Sequence, residues 1–237
     1  NSKYELQDGD ITYKPRIYAT KWSHYHPVTG AINVSDNNVI SGADAEVHYE
    51  HELWGASTLV AGVSARMDKT KDARKYQYRD VTTGFAGRIS SVNSDQLGAL
   101  RAPEDATHTL LCGFVQETER PNDKTLVDVS VRLDQSVFDI TTNETTKYDY
   151  TSGTYVAGAG LIQVDKTFDL MSMRIGSSYA LDPTTNIYGS FAMSDQVPST
   201  SEIGTNTSLN PSNSATAEVR AKGRQAAFSK EAAADST

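Results

Sequence analysis

Between Thr125 and Ile140 the residue types alternate so regularly that they fit one backbone conformation. Val127, Val129, Val131, Leu133 and Val137 share one parity; Asp128, Ser130, Arg132, Asp134 and Ser136 share the other. A period of two belongs to an extended strand, whose successive side chains point to opposite faces. The strand therefore has an apolar face and a charged one, and has to lie between two unlike media. The pattern recurs at Met171, Met173, Ile175, Tyr179 and Leu181, set against Ser172, Arg174, Gly176, Ser178 and Ala180. Asp182-Pro183-Thr184-Thr185 interrupts it with turn chemistry: proline fixes φ, and aspartate can accept hydrogen bonds from backbone just ahead of it. A partner strand from Ile187 to Met193 completes a hairpin, with Arg174 and Tyr188 expected on its polar face.

The same signature, weaker, marks further strands over Ile11 to Trp22, Ala45 to Glu52, Leu59 to Met67, Leu110 to Glu119, Tyr155 to Val164 and Ala215 to Lys222. Between them lie polar stretches read as loops: Asn33 to Ala43, Asp68 to Asp105, Thr141 to Thr154 and Ser194 to Ser214. Two connections, Pro121 to Lys124 and Asp182 to Thr185, are short, while those between are much longer. One end of the sheet thus carries turns and the other carries loops.

That asymmetry is the plan of an all-β, antiparallel transmembrane β-barrel, with apolar side chains toward lipid and polar ones toward the lumen. Composition is compatible with it. The 237 residues have a mean hydropathy of -0.49, and no apolar run approaches the roughly 20 residues of a spanning helix. Alternating strands need no such run, because only every second residue meets lipid. The net charge of -8 argues against a nucleic-acid partner, which calls for clustered Lys and Arg. The single cysteine, Cys112, sits inside an apolar strand and reads as a small packing residue, not a nucleophile. Tyr13, Tyr18, Trp22, Tyr25, Tyr148, Tyr150, Tyr155, Tyr179 and Tyr188 lie near expected strand ends, where the aromatic girdles of a barrel would sit; a soluble sandwich core could also use many of them.

Particular residues add to the pattern. Tyr188, Ser190 and Ala192, then Pro198 and Glu202, then Asn206, Leu209 and Pro211, then Glu218, Lys222 and Gly223 follow in an order and spacing that resembles the late-barrel signature of TonB-dependent outer-membrane receptors. Gly113-Phe-Val-Gln-Glu117 through Val131-Arg-Leu-Asp134 resembles the strand pair of that family ending in Arg-x-Asp. Ser212 and Arg220 depart from it, where the family has Glu and Gly. The resemblance covers Trp54 to Arg224. It implies that residues 1–224 are part of a larger barrel with about eight to ten strands present, followed by a polar, Ala-rich tail over 225–237.

It also implies a function: active uptake of a scarce nutrient, with a ferric siderophore as the expected cargo. The barrel would sit in the outer membrane of a Gram-negative bacterium, and the TonB complex would act through a plug domain absent from this chain. No enzyme activity and no cofactor are expected. Gly-x-Ser-x-Gly, His-Glu-x-x-His, P-loop and dinucleotide motifs are all missing from the sequence. The alternative is a self-contained smaller barrel or a β-sandwich acting as an adhesin or binding module.

Candidate site residues fall into three groups. Arg74, Lys75, Tyr76, Tyr78 and Arg79 combine cations with aromatic rings in an expected extracellular loop, which suits an anionic, aromatic chelate. Asp128, Arg132, Asp134 and Arg174 are expected in the lumen as a charge network. His24 and His26 share a strand face at a spacing that can hold a metal if a third ligand approaches, but two ligands fall short of a structural zinc site; His48 and His51 fall on opposite faces of their strand, so the histidines are expected as exposed or girdle residues and no metal site is expected.

Overall fold

The computed structural model describes residues 2–92 and 96–223; the expected tail over 225–237 lies outside the described residues. Ten strands form one antiparallel sheet. Two short ones, β1 (Ser2–Lys3) and β2 (Leu6–Asp8), flank β3 (Ile11–Val28) at one edge. Next come β4 (Ala31–Glu52) and β5 (Ala56–Tyr78), and the sheet continues after a small separate ribbon of β6 (Thr82–Thr83) and β7 (Ile89–Ser91). The remaining strands are β8 (Leu97–Asn122), β9 (Thr125–Asp149), β10 (Thr154–Asp182), β11 (Thr185–Gln196) and β12 (Ser212–Gly223), with a single helical turn, α1 (Thr200–Thr205), before β12. From β3 to β12 the strands of this sheet pair in sequence order, and among the described residues β12 does not pair with β1, β2 or β3, so the sheet is an open meander.

Register carries the two-faced pattern from strand to strand. Residues directly opposite one another share a face, so the chain of partners Ala45, Val63, Gly113, Leu133 and Met171 lies on one side, and Asp44, Ser64, Cys112, Asp134 and Leu170 lie on the other. The apolar side is convex and open: Leu133 and Val63 are 58% and 62% exposed. The other side is concave and receives α1. Apolar stretches on the convex side, such as Leu59 to Met67 and Met171 to Leu181, match the roughly 9–11 residues of a tilted membrane-spanning strand.

The strands are much longer than that band. β8 has 26 residues and β10 has 29, so the ladder runs far past the lipid-facing stretch. Much of what reads as loop in the sequence is therefore strand. Asn33 to Ala43 lies wholly within β4, the stretch from Asp68 is β5 as far as Tyr78, and Thr141 to Asp149 belongs to β9. The physical reason is that backbone pairing needs no apolar side chains. Beyond the membrane both environments are wet, the alternation disappears, and the hydrogen bonds persist.

The turn end behaves as expected. Asn122 Oδ1 accepts from the Lys124 amide at 3.0 Å, and Asp182 Oδ1 accepts from the Thr184 amide at 2.8 Å and its hydroxyl at 2.7 Å. Those bonds, the Thr184 hydroxyl foremost, hold the Asp182 carboxyl below its ordinary range. The far end is mixed. Two connections there, around Gly30 and over Tyr150–Gly153, are also tight, and only 79–96 and 197–211 are long.

The far end also curls. In a flat sheet β4 and β9, three steps apart, would be separated by about 14 Å. Instead Tyr150 Oη reaches the Thr29 carbonyl at 3.5 Å, and Arg101 Nη1 reaches the Gly30 carbonyl at 2.8 Å. Gly30 has φ of +76°, and a Cβ there would lie 2.2 Å from Tyr148 Cγ. Gly30→Ala should therefore cost on the order of 2 kcal/mol locally, from left-handed strain plus overlap. The check is protease added outside intact cells, which should cleave the 29–30 tip several-fold faster in the variant.

Candidate functional site

The concave face changes character along its length. At the level of the convex apolar band it is a ladder of ion pairs. Arg132 donates twice from Nε and once from Nη2 to the Asp134 carboxylate at 2.7–3.0 Å, Arg66 pairs with Asp68 at 2.8 Å, and Arg174 approaches Asp128 at 3.6 Å. Arg16 pairs with Asp44, and Arg220 with Glu218. The register explains these partnerships. Pairs such as Arg132 and Asp134 are i, i+2 on one strand, whereas Arg16 and Asp44 are direct cross-strand partners. Tyr188 faces the same side and donates to Glu218 Oε1 at 3.4 Å. Cys112 is buried on this face between Ser64 and Asp134.

Further along the same parity of β9 and β10 the side chains become apolar. Phe138, Ile140, Val164 and Phe168 form a buried cluster on the concave face, and Ile203 of α1 is fully buried against it. His108 stacks on Phe138 with centroids 4.2 Å apart and shares a 2.7 Å hydrogen bond with Ser136. The segment 197–211 is thus not a free loop but a strap drawn into the concavity. Ile203 is its apolar anchor, Lys166 Nζ donates to the Leu209 carbonyl at 2.9 Å, and a capping box starts α1.

In that box the Glu202 amide donates to Ser199 Oγ, and the Ser199 amide donates to Glu202 Oε2 at 2.7 Å. The Ser199 backbone and hydroxyl together lower the Glu202 carboxyl's affinity for protons. Asn206 then folds the chain again, its Oδ1 accepting from the Ser208 amide at 3.0 Å and hydroxyl at 2.7 Å. Pro198, Glu202, Asn206 and Leu209, read in the sequence as part of a signature, are the residues that shape this strap.

Beneath the strap is a cavity of about 780 Å³. Its wall comes from β5, β8 and β9, including Asp68, Lys75, Glu104, His108, Ile140, Thr142 and Glu144; Ser199, Thr200 and Gly204 of the strap close one side. Lys75 pairs with Glu104 at 3.2 Å and Glu144 lies 3.9 Å from Arg101. The lining mixes both charges with apolar patches, which suits a polar, multidentate small molecule better than a greasy one.

The five residues expected to form a loop site are not brought together. Arg74, Lys75, Tyr76 and Tyr78 are in β5, not in a loop, because that strand continues past the apolar band; Arg79 follows immediately after it and is exposed. Lys75 faces the cavity. Arg74 turns instead to Asp72 at 2.7 Å and Tyr76 Oη at 3.3 Å. Tyr78 is buried, its Oη donating to the Val28 carbonyl at 2.8 Å while its amide donates to Tyr155 Oη at 3.1 Å. Burial pushes its phenol pKa up.

Tyr78 belongs to the far-end tip with Tyr148, Tyr155 and Arg101, where Arg101 lies 5.7 Å over the Tyr155 ring. Tyr148 and Tyr155 are thus tip residues and not part of a membrane girdle. Sequence reasoning passed over Arg101, Lys166 and Ile203; the only local signal was an isolated cation or Ile in a polar stretch. Asp128, Arg132, Asp134 and Arg174 all share the concave face, as their parity requires.

The family model for the TonB dependent receptor-like β-barrel matches residues 1–234. The chain belongs to the TonB-dependent receptor β-barrel family. Solved structures agree in fold: the ferric citrate transporter FecA in its unliganded form aligns with a TM-score of 0.63 at 14% identity, over 93% of this chain and 31% of that one. The copper transporter OprC aligns with a TM-score of 0.59 at 14% identity, over 91% of this chain and 33% of that one. The chain therefore spans about a third of the length of these structures. No curated protein matches the sequence.

As a TonB-dependent receptor barrel the chain resides in the Gram-negative outer membrane, its convex face against lipid and its concave face toward the lumen. The open sheet is a portion of such a barrel, and the turn end corresponds to the periplasmic side.

The strap should respond to both packing and pH. Ile203→Ala removes a fully buried side chain, a change that typically costs 2–5 kcal/mol, and should raise exchange at the Ile203 and Asn206 amides at least tenfold. The Glu202 carboxylate, with its folded pKa depressed, stabilises the strap above the unfolded value and ceases to do so as pH falls through the folded one. Exchange at those amides, corrected for intrinsic rates, should rise on acidification in the wild type and be insensitive to acid in Glu202→Gln.

Proposed function

We propose that this chain forms part of the barrel wall of a receptor for active uptake of a metal chelate, most simply a ferric siderophore, driven through TonB by a plug domain seated in the lumen. The observation that carries the reading is the family match over residues 1–234. The geometry supports it in two ways. The concave face at membrane level is polar and ion-paired, a wet wall on which a plug can seat. The strap-covered cavity at the far end is large and polar enough to admit a small chelate.

Two further features point to a chelate in particular. FecA carries ferric citrate and OprC copper, and both cargoes bring a metal ion. In this chain Lys75 and Arg101 provide cations near the cavity, suited to the carboxylate or phenolate oxygens that an iron chelate displays. Arg74, Tyr76 and Arg79 remain candidates for a first encounter with cargo outside the cavity. The barrel itself carries out no bond chemistry; its role is to hold, orient and release.

A strain lacking the full gene, grown under iron limitation on one siderophore at a time, tests the reading. Growth should fail on one chelate and be restored by the intact gene only while TonB is functional. The Lys75→Glu variant should reduce uptake of that labelled chelate several-fold at unchanged receptor abundance. Normal growth of the deletion strain on every iron and copper source supplied would refute the proposal.

A further inference from the structure

Three of the chain's five histidines already have partners. His48 meets Glu46 at 3.4 Å, His51 meets Glu117 at 3.1 Å and stacks on Tyr49, and His108 is bonded to Ser136. His24 and His26 have no hydrogen bond or ion pair among the described residues. Their contacts are with aromatic rings: Trp22 is edge-on to His24 with centroids 5.8 Å apart, and His24 is edge-on to His26 at 5.2 Å. The three residues lie in a row on one side of β3, near its far end.

The 5.2 Å separation is itself informative. With metal–nitrogen bonds of about 2.1 Å, two imidazoles sharing one ion place their ring centroids roughly 5 Å apart. The backbone beneath them is held firmly. His24 pairs with Ser35 and His26 with Asn33, and a register shift between Trp22 and His24 is pinned by buried Asn38, whose amide donates to the Trp22 and Ser35 carbonyls at 3.2 and 3.3 Å. Trp22 limits the rotation of the first ring. Rotation of the two rings about their side-chain torsions, from the edge-on arrangement, would turn a nitrogen of each toward one ion.

We propose that His24 and His26 form a bidentate site for a divalent transition-metal ion, copper(II) above all. Both donors are imidazoles, which suit copper, nickel and zinc. Copper heads the affinity order for such a set, and hard ions such as magnesium and calcium want oxygen ligands. No group of three or more His, Cys, Asp or Glu that could hold an ion occurs among the described residues. With two protein ligands the ion would keep open coordination positions, filled by water or by donor atoms of an incoming chelator. This makes the site one of capture and exchange, unlike a structural zinc centre closed by four protein ligands. It stands on the geometry of β3 and does not depend on which cargo the receptor carries.

The test uses the receptor purified from outer membranes in detergent without a polyhistidine tag, titrated with copper(II) and followed by electron paramagnetic resonance. The wild type should bind an ion whose spectrum shows two imidazole nitrogens. H24N and H26N should each weaken binding at least tenfold, and the double variant should abolish that signal while circular dichroism shows the sheet intact. H48N combined with H51N should leave the signal unchanged. Failure of the wild type to show a two-imidazole spectrum, or survival of that spectrum in the double variant, would overturn the assignment.

Discussion

The structure depends on a backbone hydrogen-bond ladder whose two faces lie in different media. In lipid no water is available to satisfy an unpaired amide or carbonyl, so each strand must be bonded on both sides, and only its side chains can adapt to surroundings. A one-residue slip would turn Val129, Val131 and Leu133 into the lumen and Asp128, Arg132 and Asp134 into lipid, which fixes the register without help from loops. The ion pairs follow from that constraint. Once every charged residue of the band shares one face, i, i+2 and cross-strand neighbours of opposite sign meet, and their pairing moderates the cost of crowding charge in a partly enclosed wall.

Past the band the constraint relaxes, and the same strands serve a second purpose. On β9 the parity that carries Asp128, Arg132 and Asp134 goes on to carry Phe138 and Ile140, so the concave face turns from ion-paired to apolar within one strand while the convex face does the reverse at Asp139 and Thr141. Outside the membrane this is the ordinary arrangement of a soluble sheet, with its apolar side covered by something. The cover is the strap, and Ile203 is its anchor. A transmembrane wall and a small water-type core are thus joined end to end in one set of strands.

This division explains what could be read from the sequence. The hairpin around Asp182-Pro183, the strands over 59–67 and 125–140, and the facing of Asp128, Arg132, Asp134 and Arg174 were legible, because membrane and lumen impose a period of two on the residue types. The extensions over 33–43, 68–78 and 141–149 were not. Their side chains meet water on at least one face without a fixed pattern, and the backbone pairing that makes them strands leaves no trace in composition. The expected loop site dispersed for the same reason: Arg74 through Tyr78 alternate sides along a strand, so neighbours in sequence are separated in space. The strap was half legible. Its capping residues, Ser199, Glu202 and Asn206, were visible as a motif, but that it folds inward is decided by Ile203 meeting Phe138 and Phe168, a contact about 65 and 35 residues away in the chain, which no local pattern reports.

The distribution of charge also constrains where selectivity can arise. In the membrane-level wall most cations have an anionic partner within reach, Arg132 bidentately, so their fields are largely spent locally and the wall offers little to tell one anionic solute from another. At the far end the arrangement is looser. Arg101 is buried, bonded to the Gly30 and Thr146 carbonyls, and its nearest carboxylate, Glu144, is 3.9 Å away, leaving positive charge held by neutral partners beside the strap-covered cavity. A fixed, incompletely neutralised cation in a low-dielectric setting acts more strongly on an anionic solute than a paired one does. Under the proposed uptake function, discrimination would therefore belong to the tip and the cavity, and the ion-paired wall below them would serve passage and the seating of a plug.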